Sequence, residues 1–211
     1  MTFSLILLGV LLIFTLFGVG ESLFKNIKIN KRFLIIILLL SIALYFIPNV
    51  NIWGINVSLV AFILPLVFSI VVLVKVRNIK AYFKCFAASL IAFALNLVYN
   101  LINFEVYDVV ILQPYLVLGL ILGMVLPLLA VKPTRVYAST FLGLISSEIV
   151  FYYSRYSMYQ EYNLSLGSEK VFAVLLVTFV TSLVVYYFIR KLKTLFIKHR
   201  LKKSERKNYA G

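Results

Sequence analysis

Seven stretches of continuously apolar residues, each bounded by charges or helix breakers, limit what this chain can become. They run Phe3–Val19, Phe33–Ile47, Val57–Val74, Tyr82–Ile102, Pro114–Val131, Val136–Tyr153 and Val171–Ile189. A helix crosses about 30 Å of hydrocarbon with about 20 apolar residues at 1.5 Å each. The second run reaches that length only if it continues towards Trp53, beyond Pro48-Asn49. Continuous apolar character excludes a transmembrane β-barrel, whose strands alternate with period two. Composition agrees: 63% of the 211 residues are hydrophobic and 13% are charged. A soluble domain carries about 45–50% and about 25%. So few polar groups cannot cover a surface in water, and disorder needs the opposite bias. A lone cysteine, Cys85, excludes a disulfide scaffold. The expectation is an all-α polytopic integral membrane bundle of about seven transmembrane helices over residues 1–189. A basic cytoplasmic tail, 190–211, follows. The first run has no basic residue ahead of it and no clear cleavage site, so it is expected to persist as a helix.

The basic residues set the expected orientation. With the N-terminus outside, the inner side receives Lys25, Lys28, Lys31 and Arg32, then Lys75, Arg77, Lys80 and Lys84, then Lys132 and Arg135. The tail adds the rest, which brings 19 of the 21 basic residues inside and leaves Arg155 and Lys170 outside. The outer loops hold the acids Glu105, Asp108, Glu161 and Glu169. This predicts N-out, C-in.

Helices in lipid associate through close backbone approach and polar pairs. Gly119, Gly123 and Pro127 form one stripe at four-residue spacing on the fifth run. Gly143 with Ser139 and Ser146/Ser147 repeats that spacing on the sixth, and Ser58, Ala61, Pro65 and Ser69 lie close together on the third. These positions are expected to be packing seams. Pro65 and Pro127 are also candidate hinges, because each removes a backbone donor.

The fourth run carries Ser89, Asn96, Asn100 and Asn103 on one side. An amide facing lipid would leave polar groups unpaired, so this stripe is expected to point into the bundle. It either joins helices by hydrogen bonds or lines a polar cavity open to the outer side. Asn56, ahead of the third helix, belongs to the same candidate site. Glu148 is the one acid inside a run and lies nearer the outer end. Charge there is costly, and such residues face a partner or a cavity. The bland reading is a neutral or hydrogen-bonded carboxyl bridging to the asparagines; the sharper one is a proton or ligand site.

Other chemistry is missing. His199 is the single histidine and lies in the tail, so no histidine triad or multi-histidine metal site forms within the membrane. No Lys-Ser/Thr phosphate loop occurs, and Cys85, between Lys84 and Phe86, reads as a packed thiol. No catalytic residue, metal or cofactor is assigned. The net charge of +14 is accounted for by inner loops and tail rather than by a nucleic-acid-binding domain. The tail alternates bases with Leu192, Leu195, Phe196, Ile197 and Leu201, which suits a helix extending to anionic lipid headgroups.

Several short motifs carry a resemblance: Ile55-Asn56-Val57 through Pro65-Leu66 and Lys75, Gln113-Pro114-Tyr115-Leu116 through Gly119 and Gly123, Phe141-Leu142-Gly143 through Glu148-Ile149, and Leu166-Gly167 with Phe172. Together they resemble an uncharacterised prokaryotic family of multipass membrane proteins, a domain of unknown function. That family's third helix begins Ile-Asn-Val-Gly-Gly, where Ser58 and Leu59 stand here, and it tends to have aspartate in place of Glu148 and an acid in place of Ala173. The resemblance implies the fold and the membrane, and no activity. A fainter one is to intramembrane aspartyl proteases, through Tyr107-Asp108 and Glu148. Their two acids sit at one depth, whereas Asp108 falls in an outer loop and no glycine pair precedes Glu148. The expected protein is therefore a non-enzymatic cell-membrane protein of prokaryotic plasma-membrane type. Its polar interior near the outer face is structural or binds a small ligand. A transporter or proton-coupled carrier using Glu148 is the alternative, and a degenerate protease-like protein the third. No protein partner is indicated.

Overall fold

A computed structural model describes residues 3–18, 30–52, 55–105, 114–129, 132–159 and 165–208, with backbone alone at 103–105, 114, 155–159 and 198–208. Lys25, Lys28, Trp53, Asp108, Glu161 and the side chains of Asn103 and Arg155 lie outside the described residues. The chain is mostly helical, with one helix in each apolar run: α1 Phe3–Leu16, α2 Lys31–Tyr45, α3 Leu64–Val74, α4 Ile79–Glu105, α5 Pro114–Leu128, α6 Pro133–Tyr159 and α7 Glu169–Asn208. Local chemistry sets several starts. The Asn30 side chain accepts from Arg32 N at 3.0 Å ahead of α2, and Asn78 from Lys80 N at 2.9 Å ahead of α4. Pro133 opens α6, where its missing donor costs nothing. At the other end of α1, Lys31 Nζ donates to Leu16 O at 3.3 Å, a cation on a helix C-terminus.

Two of these helices are long and apolar enough to cross a membrane, over Ile79–Ile102 (24 residues) and Glu169–Ile197 (29 residues). Phe3–Leu16, Leu59–Val74 and Tyr115–Leu128 are apolar but shorter. Helix α7 continues unbroken through Arg190, so the basic tail begins as helix.

The third run departs from expectation. Its first residue, Val57, closes a strand in a small sheet of β1 Val50–Ile52, β2 Ile55–Val57 and β3 Ser165–Leu166, in that order. β1 and β2 are antiparallel, and β2 pairs parallel to β3 with Asn56 opposite Ser165. Asn51 lies opposite Asn56 and donates to its side chain at 3.4 Å. A π-helical turn, Leu59–Ile63, then leads into α3. Its cause is local: Pro65 has no N–H to donate back into the ladder, and ahead of it Ile63 N reaches five residues back to Ser58 O at 3.3 Å. Pro65 is fully buried, so the position proposed as a hinge holds a packed irregularity.

The most extensive helix pairings are α4 with α6 and α5 with α7; α3 and α7 also pack on α6. Helix α6 is thus central and buried along most of its length from Val136 to Glu148. One packing cluster joins α4, α5, α6 and α7 through Ala92, Leu122, Phe141 and Leu175. A second joins the α1–α2 hairpin to the π turn and α7 through Leu8, Leu38, Ala61 and Phe172.

Candidate functional site

Gly167 turns the chain between β3 and α7. Its φ of +75° is a left-handed conformation, and a Cβ there would stand 2.8 Å from Phe62 N. The turn delivers Ser168 to the N-cap of α7, where its Oγ accepts from Val171 N at 3.3 Å. The same hydroxyl donates to Glu148 Oε1 at 3.0 Å. Glu148 is 7% exposed, and its Oε2 is buried without a hydrogen-bond partner. A carboxyl is thereby held against a helix N-terminus, where the macrodipole favours negative charge. Beside it, Asn96 Nδ2 donates to Ser147 Oγ, which donates to Leu144 O at 2.8 Å.

This differs from the expected bridge. Among the described side chains the partner of Glu148 is Ser168, and the asparagine stripe meets α6 through Ser147 instead. Asn96 is buried, whereas Asn100 and Ser89 are half-buried. Asn56, also half-buried, bonds across the hairpin to Asn51. The cluster brought together is therefore Glu148, Ser168, Ser147 and Asn96. Gly167 and Ser168 were absent from the sequence-based site. Gly-Ser-Glu ahead of an apolar run is an N-cap signature and supplies a signal for them.

The small residues sit at seams. A Cβ on Gly119 would meet Val177 Cβ at 2.9 Å, and one on Gly123 would meet Thr181 Cβ at 2.5 Å. At this α5–α7 contact Thr178 Oγ1 donates to Gly119 O at 3.2 Å. Gly143 performs the same service for α6 on α4, against Ser89 O and Ala92 Cβ. Pro127 is buried inside α5.

Among the described residues no three His, Cys, Asp or Glu side chains cluster in a way that could hold a metal. Glu169, directly after Ser168, is exposed and accepts from the Tyr45 hydroxyl. The Glu148 cluster can hold helices together and can offer one carboxylate oxygen to a proton or small donor.

A cavity of about 560 Å³ lies elsewhere, between the two packing clusters, and none of the candidate site residues lines it. Its walls are mostly apolar side chains of α1, α2, α3, α6 and α7, with Thr15 and Ser41 among them and Lys75, Lys132 and Arg135 at one end. Phe68, Tyr137 and Phe179 stack edge-to-face along one wall, with centroids 5.2 and 5.7 Å apart. Compared with protein-family models, curated proteins and solved structures, the chain matches none.

Proposed function

We propose that the chain is a non-enzymatic multipass membrane protein whose seven helices all cross the bilayer, N-out and C-in, and whose buried polar groups lock the helices to one another. One observation carries this reading: the surface is inside-out relative to a water-soluble protein. Phe14, Phe33, Ile36, Phe83, Val98 and Leu128 are exposed, Phe83 by 68% and Leu128 by 69%. Ser147, Thr178 and Ser182, by contrast, are fully buried and hydrogen-bonded. A monomer in water keeps contiguous apolar patches to a few hundred Å²; in hydrocarbon the preference inverts, because polar groups must find partners inside. Several buried hydroxyls do so on their own helices, as Ser41 does by donating to Ile37 O at 2.8 Å. The shorter helices, of 14 residues in α1 and 15 in α5, suit a bilayer that thins locally or flanking residues that complete the crossing. Kinship with the uncharacterised multipass family belongs to the same reading.

The test is topology. In a Cys85→Ser background, Asp108→Cys is expected to react with an impermeant maleimide on intact cells, and Lys203→Cys only after permeabilisation. The reverse pattern overturns the orientation, and release of the chain by alkaline carbonate overturns membrane integration.

A proton-coupled carrier is the second reading, favoured by the unpartnered Glu148 Oε2. It requires that Glu148→Gln, folded and inserted, lose a transport activity that the wild type has.

A further inference from the structure

The α1–α2 hairpin leans on the rest of the chain unevenly. α2 meets the π turn and α1 meets α7, and the second packing cluster gathers near those contacts. Towards the opposite end the hairpin stands off from α3 and α6, and the 560 Å³ cavity occupies the wedge. Leu34 and Leu38 of α2, Val67 and Val71 of α3 and Leu176 of α7 line it. From Leu64 to Lys75 the wall rises about 16 Å at 1.5 Å per residue. That depth is close to half of a hydrocarbon core about 30 Å thick. The cavity is mostly apolar along its length, the hydroxyls of Thr15 and Ser41 being turned back onto Leu11 O and Ile37 O of their own helices, and it is charged at one end only. Lys75 caps α3 there, and Lys132 and Arg135 stand where α6 begins. No carboxylate is among the described residues that line it. An apolar hollow of this size forfeits dispersion contacts along its walls unless something fills it.

We infer that the wedge is a binding site for one anionic phospholipid of the inner leaflet, with an acyl chain between the hairpin and helices α3, α6 and α7 and its phosphate on Lys75, Lys132 and Arg135. Depth selects an acyl chain, and the one-ended positive charge selects an anionic headgroup. Basic pockets between helices on the cytoplasmic side take such headgroups. The inference rests on the membrane reading above and is separate from the Glu148 cluster and from the basic tail.

The test uses the full-length chain, purified in non-ionic detergent and mixed with phosphatidylglycerol or phosphatidylcholine bearing the same acyl chains, with retained lipid counted by native mass spectrometry. The wild type is expected to keep one phosphatidylglycerol in preference to phosphatidylcholine. Combined Lys75→Gln, Lys132→Gln and Arg135→Gln should weaken phosphatidylglycerol retention by about tenfold or more and leave phosphatidylcholine unchanged. Leu38→Trp with Leu176→Trp, which fills the wedge, should reduce both. Should that variant fail to fold, the charge variant decides alone; Lys75 and Lys132 are exposed and Arg135 is half-buried, so Lys75→Gln with Lys132→Gln replaces the triple change if Arg135→Gln disturbs folding. A control with Lys202→Gln, Lys203→Gln and Lys207→Gln should retain lipid as the wild type does. Equal retention of the two lipids, an unchanged charge variant, or loss confined to the tail control overturns the inference. A chain found in the aqueous fraction defeats the membrane reading itself, whereas a membrane-integrated chain without lipid preference defeats this inference alone.

Discussion

The bond from Ser168 to Glu148 can be measured by removing each end separately and then both. Ser168→Ala deletes two contacts at once, the cap to Val171 N at 3.3 Å and the donor to Glu148 Oε1 at 3.0 Å. An N-cap is worth about 1 kcal/mol. A buried acceptor left without its donor costs about 1–3 kcal/mol, although bonds between helices in membranes average about 0.6 kcal/mol. The single variant should therefore lose about 2 kcal/mol. Glu148→Leu leaves the cap intact and strands the Ser168 hydroxyl hydrogen and the Gly167 N–H, so its loss should be about 1–2 kcal/mol. With both changes made, the shared bond is counted once, and the coupling energy should fall near 1 kcal/mol. Glu148→Gln retains an acceptor oxygen and should lie within about 0.5 kcal/mol of wild type. Reversible unfolding by sodium dodecyl sulfate titration in mixed micelles, read by circular dichroism, gives all four values. A coupling energy indistinguishable from zero would refute the bridge and leave Ser168 with its capping role alone.

Two further predictions concern glycines. Gly123→Val and Gly143→Val should each destabilise the bundle by about 3 kcal/mol or more, because the new side chains meet Thr181 Cβ and the Ser89 carbonyl; wild-type unfolding midpoints would contradict both seams. Gly167→Ala should cost about 1–2 kcal/mol for the left-handed backbone and more for the contact with Phe62 N. The same titration measures it, and a neutral result would mean that the chain does not turn there as described.

Among the described residues, the helix in each apolar run and the small-residue seams could be read along the sequence. Each is a local property: an apolar run or a glycine every fourth residue declares itself without reference to the rest of the chain. Gly119, Gly123 and Gly143 illustrate this, since only close helix approach explains their spacing and each proves to abut a neighbouring helix. The partner of Glu148 was a different kind of question. Ser168 lies twenty residues away, and the two meet only because Gly167 turns the chain and α7 starts beside α6. The sheet is illegible in the sequence for a related reason. Val50–Ile52 and Ile55–Val57 are three residues each, too short for alternation to register. β3 reaches β2 from across four intervening helices. The wedge beneath the hairpin has no sequence signature at all. It is the space left where the α1–α2 hairpin and the bundle diverge, and only the packing of seven helices in three dimensions determines where side chains fail to meet.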